Sequence, residues 1–206
     1  MRKDWDFFSP ETSPDRFDWL WAGKVPRGKL VILKGDCDSL NEAAALLAAK
    51  VTRGGLWPDY AIVWDRGAVR VVAAAETGRA FYPRFKARNG DSNRLHFLPG
   101  PLDLWSGMAQ LTRHTIVHPD LKLVLMMDYV ACPSRLRELR TAFKLYEGLA
   151  SMTRASIVFL DASSLIAPGT FADALAGIPH RILDSRQLLV ETQSAGKRQG
   201  AAPVAS

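Results

Sequence analysis

Acidic side chains follow three apolar stretches of this sequence, at the point where each stretch ends. Glu76 comes shortly after one of them, Asp128 closes the run LKLVLMMD, and Asp161 closes a later one. If these stretches are parallel strands, their carboxyl ends meet at one edge of a sheet, where ligands of such folds bind. Carboxylates there could hold a divalent cation, although at strand ends they more often serve as hydrogen-bonded or solvated loop residues.

The stretch KLVILKGDCDSLNEAAALLAAK, residues 29–50, is typical of a buried strand, a tight turn and a helix. Many proteins hold a nucleotide phosphate on this framework, but the turn at 35–42 has no lysine, one glycine and three acidic residues. Ser39 and Glu42 fit a capping box, in which Ser39 accepts from the N–H of Glu42 and the Glu42 carboxylate returns to the N–H of Ser39. The pattern therefore favours a self-capped helix over a phosphate site.

A basic and aromatic segment spans residues 79–94. Its aromatic residues, Phe81, Tyr82 and Phe85, could provide stacking platforms for single-stranded DNA beside a positively charged surface. The alternative, which we favour, is that Phe81 and Phe85 are the buried face of a helix and the cations its solvated side. The candidate nucleic-acid contacts are Arg79, Arg84, Lys86, Arg88 and Arg94.

Composition indicates an ordinary globular protein. The chain has 206 residues, of which 48% are hydrophobic and 23% charged, and a formal net charge of +6. This charge permits an acidic partner such as nucleic acid without establishing one. Cys37 and Cys132 show no zinc-ligand spacing, no metal site is expected, and neither a secretory leader nor a membrane span is visible. We expect a cytoplasmic protein with no membrane partner.

The order of apolar and amphipathic segments predicts an α/β fold with a mostly parallel sheet and helices on both faces. We expect an arm at 1–17, one domain at 18–193 and a disordered tail at 194–206. The predicted strands are 29–34, a pair at 61–64 and 69–74, 95–98, 121–128, 156–160, and a closing hairpin of 181–183 with 187–190. The predicted helices are 43–51, 81–88, 102–113 and 134–152.

Several blocks of the chain together resemble a known family. They are WLWAGKVPRGKLVILKGD, AAKVTRGGLWPD, AAAETG, PRFKARNGDSNRLHFL and LKLVLMMD. In order and spacing they resemble the RecA-like AAA ATPases of mobile elements and phages, which are related to RepA-type hexameric replicative helicases. The resemblance covers about residues 18–190 and implies a three-layer RecA-like P-loop NTPase fold.

The same resemblance implies that the turn after the first strand is a degenerate Walker A loop. In the family, backbone N–H groups of this loop cradle the phosphates, a lysine reaches the outer phosphates and a hydroxyl binds magnesium. Gly35 keeps the first glycine, whereas Asp38 and Leu40 stand at later glycines, Asn41 at the lysine and Glu42 at the magnesium-binding residue. These changes remove a positive charge and add negative ones where a triphosphate would sit.

Two acidic residues of the family pattern are retained in this chain. Glu76 matches the residue that polarises the attacking water, and Asp128 matches the Walker B aspartate that holds magnesium through water. The strand ending FLDASS lacks the histidine or glutamine that commonly senses the outer phosphate there. The segment YVACPSRLREL after Asp128 also enters the next helix quickly, where the family usually has a longer active-site and DNA-facing loop. With the altered phosphate loop, the resemblance therefore implies catalytic ancestry with three damaged elements, and no intact catalytic residue set.

We therefore expect a catalytically inactive RecA-like ATPase homologue, a structural or regulatory subunit in DNA replication, repair or recombination. It would have no cofactor of its own and would form homo- or hetero-oligomers with RecA-like or other DNA-metabolism proteins. One alternative is an active ATPase with an unconventional phosphate loop, which would require ATP and magnesium. The other is a non-enzymatic DNA-binding protein.

Overall fold

Six strands, all parallel, form the central sheet of the computed structural model, which describes residues 18–59, 61–63, 66–130, 136–162 and 174–190. The strands are β1 (Leu30–Gly35), β2 (Ala68–Ala73), β3 (Leu95–Pro99), β4 (Leu121–Met126), β5 (Ser156–Ala162) and β6 (His180–Asp184). From one edge to the other the strand order is β6-β1-β5-β4-β2-β3.

Helices cover both faces of this sheet. They are α1 (Cys37–Arg53), α2 (Ala75–Ala87), α3 (Met108–Ile116) and α4 (Leu136–Thr153). Val31 and Leu33 of β1 belong to the core beneath α1 and α2, whereas Leu30 and Ile32 belong to the core beneath α3 and α4. The result is a three-layer α/β fold, as the alternation of segments predicts. Strands buried on both faces explain why the sequence shows continuous apolar runs.

Within the described residues, three pairs of very short strands lie outside the central sheet. Trp19–Trp21 pairs with Val25–Pro26 and Gly55–Leu56 with Ile62–Val63, both antiparallel, while Leu102–Asp103 pairs in parallel with Tyr129–Val130. The first two pairs come together where Trp21 stacks on Trp57, with ring centroids 4.4 Å apart.

The predicted pairing of 61–64 with 69–74 is wrong. Ile62–Val63 turns back onto Gly55–Leu56, because the Trp57 N–H donates to the Ala61 carbonyl at 2.7 Å and closes a tight hairpin. β2 instead lies between β4 and β3 in the sheet. Its fully buried pattern suits that interior position.

The predicted helix 102–113 begins late, at Met108. The Asp103 carboxylate accepts from the N–H groups of Trp105 and Ser106 at 3.0 and 2.7 Å, which holds a turn in place of helix. The predicted closing hairpin at 181–190 is also wrong. Residues 180–184 form the parallel edge strand β6, and residues 185–190 are helical. There the Asp184 carboxylate accepts from the Arg186 N–H at 2.8 Å.

The remaining elements agree with the sequence, with shifted ends. α1 starts six residues before the predicted 43–51 and α2 six residues before the predicted 81–88. The predicted arm at 1–17 and tail at 194–206 lie outside the described residues. Among the residues that the structure describes, no helix has both the length and the apolar character needed to cross a bilayer.

Candidate functional site

Asp36, in the turn between β1 and α1, is the N-cap residue of α1. Its carboxylate accepts from the Ser39 N–H at 2.9 Å, and the Ser39 hydroxyl donates to the Asp36 carbonyl at 3.0 Å. The hydrogen bonds from Ser39, followed by the one from Arg186, lower the pKa of Asp36 to about 2. The capping box predicted for Ser39 and Glu42 is therefore wrong, because the helix begins at Cys37 and the preceding aspartate is the N-cap residue that accepts from the Ser39 N–H.

Ser185 and Arg186, which follow the edge strand β6, contact this turn. The hydroxyls of Ser39 and Ser185 are hydrogen-bonded at 2.8 Å, and both side chains are buried. A Cβ at Gly35 would lie 1.9 Å from the Ser185 hydroxyl oxygen. Arg186 reaches the Asp36 carboxylate through Nε at 3.1 Å and Nη2 at 3.0 Å. The chain's own side chains thus occupy the space over the turn.

Arg84 of α2 and Arg88, the C-cap residue of α2, neutralise the other acids of the turn. Arg84 contacts Glu42 through Nε at 2.9 Å and Asp38 through Nη2 at 3.2 Å, and Arg88 contacts the second oxygen of Glu42 at 2.8 Å. We call Asp38, Glu42, Arg84 and Arg88 the loop ion-pair cluster. The Arg88 hydrogen bond is the largest cause of a lowered pKa at Glu42, and Arg84 adds to it.

Glu42→Gln is expected to lower the free energy of unfolding by about 1 kcal/mol at neutral pH, a modest loss because solvent screens a partly exposed pair. A carboxylate with a lowered pKa in the folded state stabilises the fold above its ordinary pKa of 4.5 and loses that contribution as the pH falls through the folded value. The difference between wild type and E42Q should therefore shrink in acid. Urea unfolding at several pH values measures it.

The matched control is Asp38→Asn. Asp38 belongs to the same cluster, but its side chain is 89% exposed, so its ion pair contributes little. A pH-independent difference between wild type and E42Q, or an equal loss in D38N, would contradict the assignment of the stabilisation to Glu42.

Leu40 and Asn41 stand at the two remaining positions where the turn departs from the family pattern, and their side chains lie in different surroundings. Leu40 is 3% exposed and packs in the core beneath α1, so its side chain points away from the turn. Asn41 is half-buried on the first turns of α1 and carries no charge. Neither side chain replaces the phosphate-binding lysine.

Glu76 and Asp128 lie, like the turn, at the carboxyl ends of the sheet strands, but in different environments. The Asp128 carboxylate accepts from the Ala74 N–H at 2.7 Å, so it joins the end of β4 to the end of β2. Glu76 is exposed in the first turn of α2, where a negative charge complements the helix dipole. Among the described residues, no group of three His, Cys, Asp or Glu side chains could hold a metal ion.

The basic segment 79–94 is largely paired within the chain. Arg84 and Arg88 belong to the loop ion-pair cluster, and Arg94 lies 3.6 Å from Asp91 and 3.8 Å from Asp120. The prediction that Phe81 and Phe85 form a buried helix face is confirmed, because both are 0% exposed. Of the three aromatic residues in this segment, Tyr82 alone is exposed.

An open, mostly apolar groove of about 690 Å³ lies at the carboxyl ends of β2 and β3. Tyr82, Pro83, Phe97 and Pro99 line it, and Arg79 is its charged lining residue. Gly35 ends β1, and the strands β5 and β4 separate β1 from β2, so the groove does not adjoin Gly35. Its lining has the character of a contact surface more than of a phosphate site.

Ser185 and Arg186 were not identified from the sequence. A serine and an arginine after an apolar strand form no motif, and only the order of strands shows that they meet Gly35 and Asp36. A scan against protein-family models finds no match to this chain, and a search of curated proteins finds no relative.

Proposed function

We propose that this chain has a RecA-like P-loop NTPase fold and is a catalytically inactive homologue of the ATPases it resembles. In this proposal it is a structural or regulatory subunit in DNA replication, repair or recombination. The sheet supports it by bringing the three family-equivalent positions, the turn at 35–42, Glu76 and Asp128, to one edge. That edge is where ligands of parallel α/β sheets bind.

The observation that carries the proposal is the closed turn after β1. The Asp36 carboxylate already accepts from the Ser39 N–H at the start of α1, Ser185 is hydrogen-bonded to Ser39, and Arg186 is paired with Asp36. A phosphate would have to displace these residues and then approach Asp38 and Glu42, which already hold Arg84 and Arg88. It would gain a contact with either arginine only by breaking an ion pair, and the carboxylate set free would then repel it by roughly 4 kcal/mol at about 4 Å and an effective dielectric of 20. Micromolar affinity amounts to only about 8 kcal/mol, so little nucleotide affinity would remain.

The full chain is therefore expected to give no saturable heat when titrated with magnesium ATP to millimolar concentration. Asp36 and the loop ion-pair cluster are the physical reason, since they fill the anion site with carboxylates. Isothermal titration calorimetry with and without magnesium measures this. Saturable, magnesium-dependent binding at this turn would contradict the proposal, and turnover that Glu76→Gln abolishes would establish the active-ATPase alternative instead.

Direct DNA binding receives less support, because three of the five candidate cations are held by carboxylates of the same chain.

The proposed subunit role can be tested separately. Affinity purification from the native cell should recover an ATPase with an intact Walker A loop together with this protein. Recovery of this chain alone would contradict a role beside an active partner.

A further inference from the structure

A buried arginine, Arg70, lies in the interior strand β2. Its side chain is 3% exposed and shares a strand face with Ala68 and Val72, which belong to the core beneath α3 and α4. Its neighbours in the sheet are His96 of β3 and Val124 of β4. Within the described part of the chain, Nε and Nη2 of Arg70 have no hydrogen-bond partner.

An unpartnered buried guanidinium calls for an explanation. Burial of a charge is costly unless it is paired, and nearly all buried polar groups in native proteins have partners. The N–H bonds of Nε and Nη2 run parallel along one edge of the guanidinium plane. This is the pair of donors that binds the two oxygens of a carboxylate or phosphate side by side. The unpaired edge of Arg70 therefore has the chemistry of an oxyanion receptor.

The groups around Arg70 reinforce this character. His96 and His118 stack with ring centroids 4.9 Å apart, and both are half-buried. The Asp120 carboxylate, whose charge raises the pKa of His96, lies 3.8 Å from the Arg94 guanidinium. Lys122 of β4 lies two residues after Asp120. Two imidazoles and a guanidinium thus come together while the adjacent carboxylate already faces another arginine.

We propose that Arg70, with His96 beside it and His118 stacked on His96, binds a small oxyanion such as phosphate or sulfate. The anion accepts from Nε and Nη2 of Arg70, and the imidazoles donate to its remaining oxygens. This site lies on the α3 and α4 face of the sheet, away from the turn after β1. It is independent of the proposed loss of nucleotide binding.

Binding at this site is coupled to protonation of His96. Burial lowers the pKa of His96, and the charges of His118 and Arg70 lower it further, while Asp120 opposes them. A bound anion offsets the two positive neighbours and favours the imidazolium. The anion should therefore bind more tightly at about pH 6 than at about pH 8, where histidine is neutral.

Sulfate is the appropriate probe, because its charge does not change over this pH range. Calorimetry on the full chain, in chloride buffer at constant ionic strength, should show saturable binding of one sulfate that weakens as the pH rises. Arg70→Met should reduce the affinity about tenfold or more, since it removes both charge-assisted donors. Arg53→Met is the matched control, because Arg53 is exposed at the end of α1 on the opposite face.

Sulfate also stabilises proteins without binding to a site. Equal thermal stabilisation of wild type, R70M and R53M, with no saturable heat, would mean that only this general effect operates, and it would overturn the proposal. If R70M does not fold, the Nε–H resonance of Arg70 in the wild-type protein decides. It should shift saturably with sulfate, and an unchanged resonance would overturn the site.

The ATP titration described above separates the two proposals when it is repeated on R70M. Heat that disappears in R70M comes from phosphate groups at Arg70 and leaves the closed turn intact. Heat that persists in R70M would place the nucleotide elsewhere and would count against the proposed function alone.

Discussion

Gly35→Ala is expected to lower the free energy of unfolding by about 2–4 kcal/mol, from overpacking and a lost hydrogen bond. The new Cβ would lie 1.9 Å from the Ser185 hydroxyl oxygen and 2.7 Å from that of Ser39. Both hydroxyls are buried and bonded to each other, so neither can move without losing its partner. Urea unfolding of wild type and variant measures the difference.

Gly148→Ala provides the matched control. Gly148 lies exposed within α4, and nothing stands within 4 Å of the position its Cβ would take. Alanine should therefore stabilise that helix by about 0.5–1 kcal/mol. A Gly35→Ala protein as stable as wild type would mean that Ser185 yields freely, and the turn after β1 would then not be closed by it.

The sheet was predictable because its strands are buried on both faces. A run such as Leu121–Met126 is apolar at nearly every position, and this pattern does not depend on which strand lies beside it. Elements whose ends depend on local hydrogen bonds were less predictable. The start of α3 shows this, since the Asp103 turn and not the apolar period determines where that helix begins.

The closed turn could be predicted only in part. Its acids are visible in the sequence, and so is a serine that could cap a helix, but Asp36 and Ser39 are both good capping residues three positions apart. Their partners are remote in the chain. Arg84 comes 42 residues after Glu42, and Arg186 comes 150 residues after Asp36. Pairs of that kind follow from the packing of α2 on α1 and of β6 on β1, which no local pattern specifies.

A common physical reason connects the acidic turn with the cations around it. The N-terminus of α1 carries a partial positive charge that a phosphate would satisfy in a nucleotide-binding protein. Here the Asp36 carboxylate takes that position. The arginines that could have contacted a ligand phosphate bind Asp36, Asp38 and Glu42 instead. The acids and the arginines at this end of the sheet therefore balance one another within the chain.

Phe159→Ala is expected to lower the free energy of unfolding by about 3–5 kcal/mol, the usual cost of a large aromatic cavity. Phe159 is 0% exposed on β5, in the middle of the sheet. Its ring makes edge contacts with Tyr129, Phe143 and Tyr146, at centroid distances of 5.5, 5.3 and 5.5 Å. These three rings come from the short strand Tyr129–Val130 and from α4, so they cannot close the cavity together without moving the helix.

Phe97→Ala is the matched control, because it removes the same ring from the edge strand β3, where Phe97 is 43% exposed. It has an edge contact with Phe81 at 6.2 Å, so the expected loss is about 1 kcal/mol. Since domains of this size are stable by only about 5–15 kcal/mol, F159A should unfold at a clearly lower urea concentration than F97A. Equal midpoints for the two variants would contradict a core centred on Phe159 and would place the stabilising contacts at the edge strand.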